Sequence, residues 1–453
     1  MLSKTWAALA VALTLPLLNA CGIDDVDDGH VRIVNATTDY SSVDLYTQDS
    51  NGNDNLVVSG TAAGAVSGYT NVKRGSSTFE IKSGSSAGNA SSATGTVTTD
   101  DHFTLVSYIT GNTLDTVFLS DNEDSPGSGN AKLRVLNGAT TEAGSVDVYL
   151  SQNACSALST TDTAFAAAVA GPSAGAAFTT AYSQVSAAPG GTSWNLCVTA
   201  SGDKSNVLAD VPTFTLKDQE IATLILTRTS GGFLLNASLL DQQGGLSSFT
   251  NSIARIRVVA DAASTTTTTS SGTTTTAGTV SATINGVAVS ADLNSPSVNN
   301  YVAVPSGAVN GTYAINDIAI NGVSLANLTA GTDYTLFIGG TSDSPTVKLI
   351  QDNNTPSTSS SQPVEVRVLN GVNGINGTLT ATVGAKSISS VAYGTASAYV
   401  PIAAATGTGT LSVTIPGATV AAQTTLTYTS GGVYTVLVYG DMSSPIAVAN
   451  QDR

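Results

Sequence analysis

Four times along this chain an arginine sits inside a short aliphatic run: Val31-Arg32-Ile33-Val34-Asn35, Leu133-Arg134-Val135-Leu136-Asn137, Ile256-Arg257-Val258-Val259 and Val366-Arg367-Val368-Leu369-Asn370. The four arginines are 102, 123 and 110 residues apart. A second alternating run follows in the first two units, Ser42-Val43-Asp44-Leu45-Tyr46 and Ser145-Val146-Asp147-Val148-Tyr149, and Thr279 to Ile284 and Thr378 to Val383 hold the same place later. A tyrosine marks the middle of every unit (Tyr69, Tyr182, Tyr301, Tyr399), and each unit closes on a strand that runs to an aspartate, Asp121, Asp241, Asp352 or Asp452. Alternation of apolar and polar residues over runs this short reads as half-buried strands, five to seven per unit. A unit of roughly 100 residues built this way can close two sheets over one core. The expected fold class is all-β: four tandem β-sandwich domains.

Composition narrows the partners. Hydrophobic residues make up 41% of the 453 positions, too many for a disordered chain, and the 44 glycines follow no collagen-like period. Sixteen basic against 32 acidic side chains give a net charge of −16, which argues against nucleic acid because phosphate binding needs clustered Lys and Arg. The expected boundaries are 1–20 for the signal peptide, 21–29 for an acidic tether, and 30–122, 131–241, 253–352 and 364–453 for the four sandwiches. Polar linkers lie between them at Asn122 to Asn130, Gln242 to Ser252 and Asn353 to Pro363. Ser264 to Thr276 is almost all Thr and Ser and reads as a mobile surface loop, with an O-glycan stalk as the less favoured reading. Asp162 to Gly171 is the one fair helix candidate, with Asp162 as N-cap.

The start of the chain carries an address. Lys4 precedes an apolar run from Trp6 to Leu18, too short to span a bilayer of about 30 Å as a helix. Leu18-Asn19-Ala20-Cys21 resembles the bacterial lipobox, which implies that Cys21 is acylated and becomes the new N-terminus. Several acyl chains, at about 0.8 kcal/mol per buried methylene, make a durable anchor. Gly22 rather than Asp after the cysteine favours the outer membrane if the organism is Gram-negative. Cys155 and Cys197 are then the remaining pair, expected as a disulfide in an oxidising compartment, with two free thiols as the alternative.

His30-Val31-Arg32-Ile33-Val34-Asn35-Ala36-Thr37 followed by Val43-Asp44-Leu45-Tyr46 resembles the opening of the bacterial "domain of unknown function 4397" family. Arg134 to Ala139 with Val146 to Tyr149 resembles it again, while the third and fourth units keep only the arginine-led strand. The resemblance implies extracytoplasmic Ig-like sandwiches, often in tandem and on lipoproteins, and implies no reaction.

Reactive constellations are weak. Gly84-Ser85-Ser86-Ala87-Gly88 and Gly171-Pro172-Ser173-Ala174-Gly175 match the esterase pattern G-x-S-x-G, yet neither precedes a helix and no histidine follows residue 102. Asp49 to Asn55 is oxygen-rich like a Ca²⁺ loop but lacks the glycine and glutamate that such loops need, so a polar hairpin is favoured. No catalytic residue, metal site or cofactor is expected. Tyr46, Tyr69, Tyr108 and Tyr149 recur regularly enough to be packing residues rather than a sugar platform. The repeated charges suggest four structural ion pairs in which first and last strands lie side by side: Arg32 with Asp121, Arg134 with Asp241, Arg257 with Asp352 and Arg367 with Asp452. Alternation makes these pairs partly exposed, with Asp44 and Asp147 competing for the first two arginines. The functional expectation is a non-enzymatic binding or spacer protein of the cell envelope, held to a membrane as a semi-rigid rod by its N-terminal lipid. Its partner is an unknown envelope protein or a glycan, and the alternative is a carbohydrate- or polymer-binding module.

Overall fold

The computed structural model describes residues 28–83, 90–110, 113–139, 144–172, 178–229, 233–352, 363–383, 385–403, 406–417 and 422–452. Cys21, Ser86, Ser173 and the linker 353–362 lie outside them. Within them the chain is all-β, arranged as four two-sheet sandwiches. In unit one the opening strand Asp28–Asn35 runs parallel to His102–Thr110, which pairs in turn with Thr113–Ser120. The facing sheet holds Ser42–Gln48 between Asp54–Ala62 and Gly75–Lys82. Units two, three and four repeat this order from Asn130–Asn137, Ile253–Ala262 and Val364–Asn373.

Alternation along the opening strand separates two jobs. Val31 and Ile33 point between the sheets and join Leu45, Phe79 and Leu105 in the core of unit one. Arg32 and Val34 point to the outer face. That face is not left to solvent. Val34, Val106 and Leu119 pack against Leu136, Ile225 and Leu240 of unit two. Val259 and Phe337 likewise pack against Leu369, Leu437 and Tyr439 of unit four. The expected string of separate units is therefore two face-to-face blocks, units one with two and units three with four. Each fully buried Val, Leu or Phe at these faces contributes roughly 1.5–3 kcal/mol.

Local readings fare unevenly. Asp162 to Gly171 is not a helix: Ala166–Val169 is a strand paired with Val146–Ser151. It fills the edge position that Asp54–Ala62 fills in unit one, and pairing there overrides helix propensity. The threonine tract is not a loop but an exposed two-stranded ribbon, Thr265–Thr269 with Gly272–Thr276. The segment 242–252 contains a further strand, Leu246–Phe249, that extends the sheet of unit two. Asp49 to Asn53 forms a hairpin turn whose Asp49 carboxylate accepts the Asn51 and Asn53 N–H groups, each at 2.8 Å.

The disulfide is present: Cys155, at the start of a single 3-10 turn, joins Cys197 on Thr192–Ala200, with Cα atoms 5.4 Å apart. Asp44 and Asp147 do not compete for the arginines. They stand on the facing sheet, where Asp44 accepts the Gly60 N–H at 2.6 Å and Asp147 the Ala168 N–H at 2.7 Å. Gly60 and Ala168 are left-handed bulge residues, with φ of 66° and 51°, so these aspartates pin a kink in each edge strand.

Candidate functional site

The repeated polar residues converge at the interfaces inside the two blocks. Each arginine lies beside a threonine of the neighbouring parallel strand: Arg32 by Thr104, Arg134 by Thr223, Arg257 by Thr335 and Arg367 by Thr435. Its Nε donates to the threonine hydroxyl at 2.7, 2.7, 2.9 and 2.8 Å in that order. The penultimate strand thus separates the first strand from the last, which corrects the side-by-side expectation, and the threonine bridges the gap. The Thr104, Thr335 and Thr435 hydroxyls in turn donate hydrogen bonds to Asp121, Asp352 and Asp452. Each of those carboxylates also accepts the hydroxyl of the mid-unit tyrosine, from Tyr69 at 2.7 Å, Tyr301 at 2.6 Å and Tyr399 at 3.2 Å. The same tyrosine ring lies under the guanidinium at 4.6–4.9 Å, a stacking that favours the cation.

The pairing crosses between units. Arg32 meets its own Asp121 at 3.2 Å, and Arg257 stands 3.8 Å from its own Asp352. Arg257 is closer to Asp452 of unit four, at 3.0 Å. Arg367 bonds Asp352 of unit three rather than Asp452. Arg134 bonds Asp121 of unit one at 3.4 Å rather than Asp241. The two sheets meet face to face, so a guanidinium at the centre of one reaches the closing strand of the other more readily than its own. The groups are also buried rather than partly exposed: the four arginines keep 2–7% of their surface, and Asp121, Asp352 and Asp452 at most 1%. Burial works against the charge on Arg257, yet Tyr301, Asp352 and Asp452 hold its pKa above the ordinary arginine value.

Asp241 fails for a different reason. In unit one Thr104 faces Leu119, so His102 faces Asp121; in unit two Thr223 faces Leu240, so Ile221 faces Gln242. Asp241 is therefore one residue short of the repeat position, and a one-residue step in a strand turns the side chain to the other face. There it sits half-buried, 3.8 Å from Lys217. Beside it Glu220 is pushed up to about 7, by burial first and then by the Asp241 carboxyl.

Sequence reading missed the threonines, which are indistinguishable from ordinary strand residues until register is known. It also missed Asp261, a buried carboxyl on the interface of units three and four that accepts Tyr393 O–H and Gly440 N–H, each at 3.0 Å. His30 and His102 face each other on parallel strands with ring centres 4.6 Å apart, and Tyr69 packs edge-on to His102. Burial and the neighbouring His30 hold the His102 pKa below the ordinary value. Among the described residues no group of three or more His, Cys, Asp and Glu is arranged to hold a metal ion, and no helix is long and apolar enough to cross a membrane. Chemically, these clusters are devices for joining sheets.

No curated protein matches the chain. Unit one and the first two strands of unit two, residues 29–149, match the model of the family described as Domain of unknown function (DUF4397).

Proposed function

We propose that this chain is a lipid-anchored protein of the cell envelope whose tandem sandwiches serve as a non-enzymatic binding or spacer element. The observation that supports this best is where the repeated Arg, Thr, Tyr and Asp side chains go. They are the groups that would carry chemistry on an open surface, and here they are buried and consumed in joining one unit to the next. A spacer needs fixed geometry between its modules, and buried bonding across the faces supplies it. In this reading Cys21 carries the lipid, residues 1–20 are removed, and the sandwiches face an unidentified envelope protein or glycan, at the outer membrane if the cell is Gram-negative.

The test is fractionation of cells expressing the chain and its Cys21→Ala variant. The reading expects the parent at mature size in the membrane fraction, with the variant soluble or unprocessed. A variant that partitions into the membrane at mature size would overturn the anchor.

A carbohydrate-binding role has one observation in its favour. A cavity of about 410 Å³ opens where units one, two and three meet, lined by hydroxyls such as Thr38, Thr227, Ser248 and Thr250 and by Phe249, with no ionisable side chain. That lining suits a neutral, hydroxyl-rich ligand. A glycan array probed with the delipidated chain separates the two roles, since a pure spacer retains nothing.

A further inference from the structure

Comparing the four units at one position shows where unit two departs. In units one, three and four the closing position holds a buried carboxylate that accepts the tyrosine and threonine hydroxyls. In unit two that position is Gln242, whose amide is turned to the backbone of Glu123, donating at 2.8 Å and accepting at 3.0 Å. Tyr182 still lies over Arg134, 4.6 Å from the guanidinium carbon. Its hydroxyl is buried and has no hydrogen-bond partner among the described residues. Thr223 accepts the Arg134 Nε–H as its counterparts do and stands beside the Tyr182 hydroxyl, with no closing carboxylate at this corner to accept from it.

The charge count departs as well. Arg257 and Arg367 meet two carboxylates, Asp352 and Asp452. Arg32 and Arg134 share Asp121 alone. Arg32 is further satisfied by the Gly244 and Asp241 carbonyls, at 2.5 and 3.0 Å. A carbonyl supplies a dipole and no counter-charge, and a buried cation without one carries a large desolvation cost. Lys132 and Glu123 pair with each other and leave the balance unchanged.

We propose that the Arg134–Tyr182–Thr223 corner of unit two binds a small monovalent anion, a free carboxylate or halide that takes the role of the aspartate side chain in the other units. Its ligands are the Arg134 guanidinium and the Tyr182 and Thr223 hydroxyls. The ligand is small because the pattern it copies is a single carboxyl group, and monovalent because the two guanidiniums exceed the local carboxylates by one.

The test uses the full chain, with unfolding followed by the fluorescence of Trp194 in unit two at constant ionic strength. Exchanging a bulky sulfonate for acetate or chloride should raise the midpoint of the transition that Trp194 reports saturably, by roughly 3–5 °C at ten times the dissociation constant. Tyr182→Phe should fold and lose most of that rise. Gln242→Asp should melt higher than the parent without added anion and respond to neither ion. A parent chain with no saturable anion dependence, or a Tyr182→Phe chain that keeps all of it, overturns the site. Should Gln242→Asp fail to fold, the chloride NMR linewidth of parent and Tyr182→Phe decides: broadening lost in the variant supports the site, and equal broadening removes it.

Discussion

Asp352 is fully buried, and Arg367 reaches it from unit four while Tyr301 and Thr335 reach it from unit three. Removing it leaves the Arg367 guanidinium buried without its bonded counter-charge, while Arg257 keeps Asp452, so Asp352→Ala should cost roughly 3–5 kcal/mol in urea denaturation. Asp241→Ala should cost under about 1 kcal/mol, because its carboxylate is half-buried, stands 3.8 Å from a largely exposed lysine and otherwise faces the Glu220 carboxyl rather than an arginine. Equal costs would mean that the repeat position is Asp241 after all. Asp261 makes the second prediction at this scale. Burial pushes its carboxyl up to about 7, against the Gly440 N–H and Tyr393 O–H that favour the anion and with Asp441 adding to the rise. Between about pH 4 and 7 the folded chain therefore holds a proton that the unfolded chain has released, and stability falls as pH rises across that window. The whole span is worth roughly 3–5 kcal/mol, and above pH 7 it is already spent. Asp261→Asn should flatten this part of the profile, measured as the urea midpoint against pH. A parent that is equally stable at pH 4 and 7 once other carboxylates are accounted for would contradict the assignment.

The disulfide ties the 3-10 turn at Cys155–Ala157 to the central strand Thr192–Ala200 and closes a sequence separation of 42 residues. On the chain-entropy model Cys155→Ser with Cys197→Ser should destabilise unit two by about 4 kcal/mol. Thiol labelling of the unfolded, unreduced chain should find neither cysteine free. The threonine ribbon should behave oppositely: all ten of its residues are exposed, so deleting it should move the stability of unit three by less than about 0.5 kcal/mol. Elements of these two kinds show how far the sequence was legible. Strand positions and the cysteine pair could be read because alternation and spacing are local properties. The ribbon was misread because a run of threonine carries no apolar period, although threonine favours strands. The helix proposed over 162–171 failed because the vacant edge of a sheet, invisible in the sequence, recruits Ala166–Val169. The ion pairs were half legible: the right residue types recur at the right period, but partner choice depends on a one-residue register step at Gln242 and on which faces meet. Neither is written in local sequence.

The two blocks set how the whole molecule should unfold. Inside a block the interface is apolar and carries buried charges: Val34, Val106 and Leu119 against Leu136, Ile225 and Leu240 in one, Phe337 against Leu369, Leu437 and Tyr439 in the other. A unit melting alone would expose its partner's apolar face to water and strip the partner's guanidinium or carboxylate of its bonded counter-charge, two costs that couple neighbours strongly. Between the blocks the described contacts are lighter and mostly neutral, such as the Thr229 hydroxyl donating to the Gly331 carbonyl at 2.8 Å and Arg255 lying over Phe233. The chain should therefore melt as two cooperative blocks rather than four independent sandwiches. Phe337→Ala probes this directly. The ring is fully buried on the interface of units three and four and outside the core of unit three, so its loss should cost roughly 3–5 kcal/mol of coupling. Calorimetry should show the second block's transition broaden or split into two while the first block's transition stays in place. Four separable transitions in the parent chain, or a Phe337→Ala effect confined to unit three by hydrogen exchange, would mean that the units are independent and the buried clusters only local.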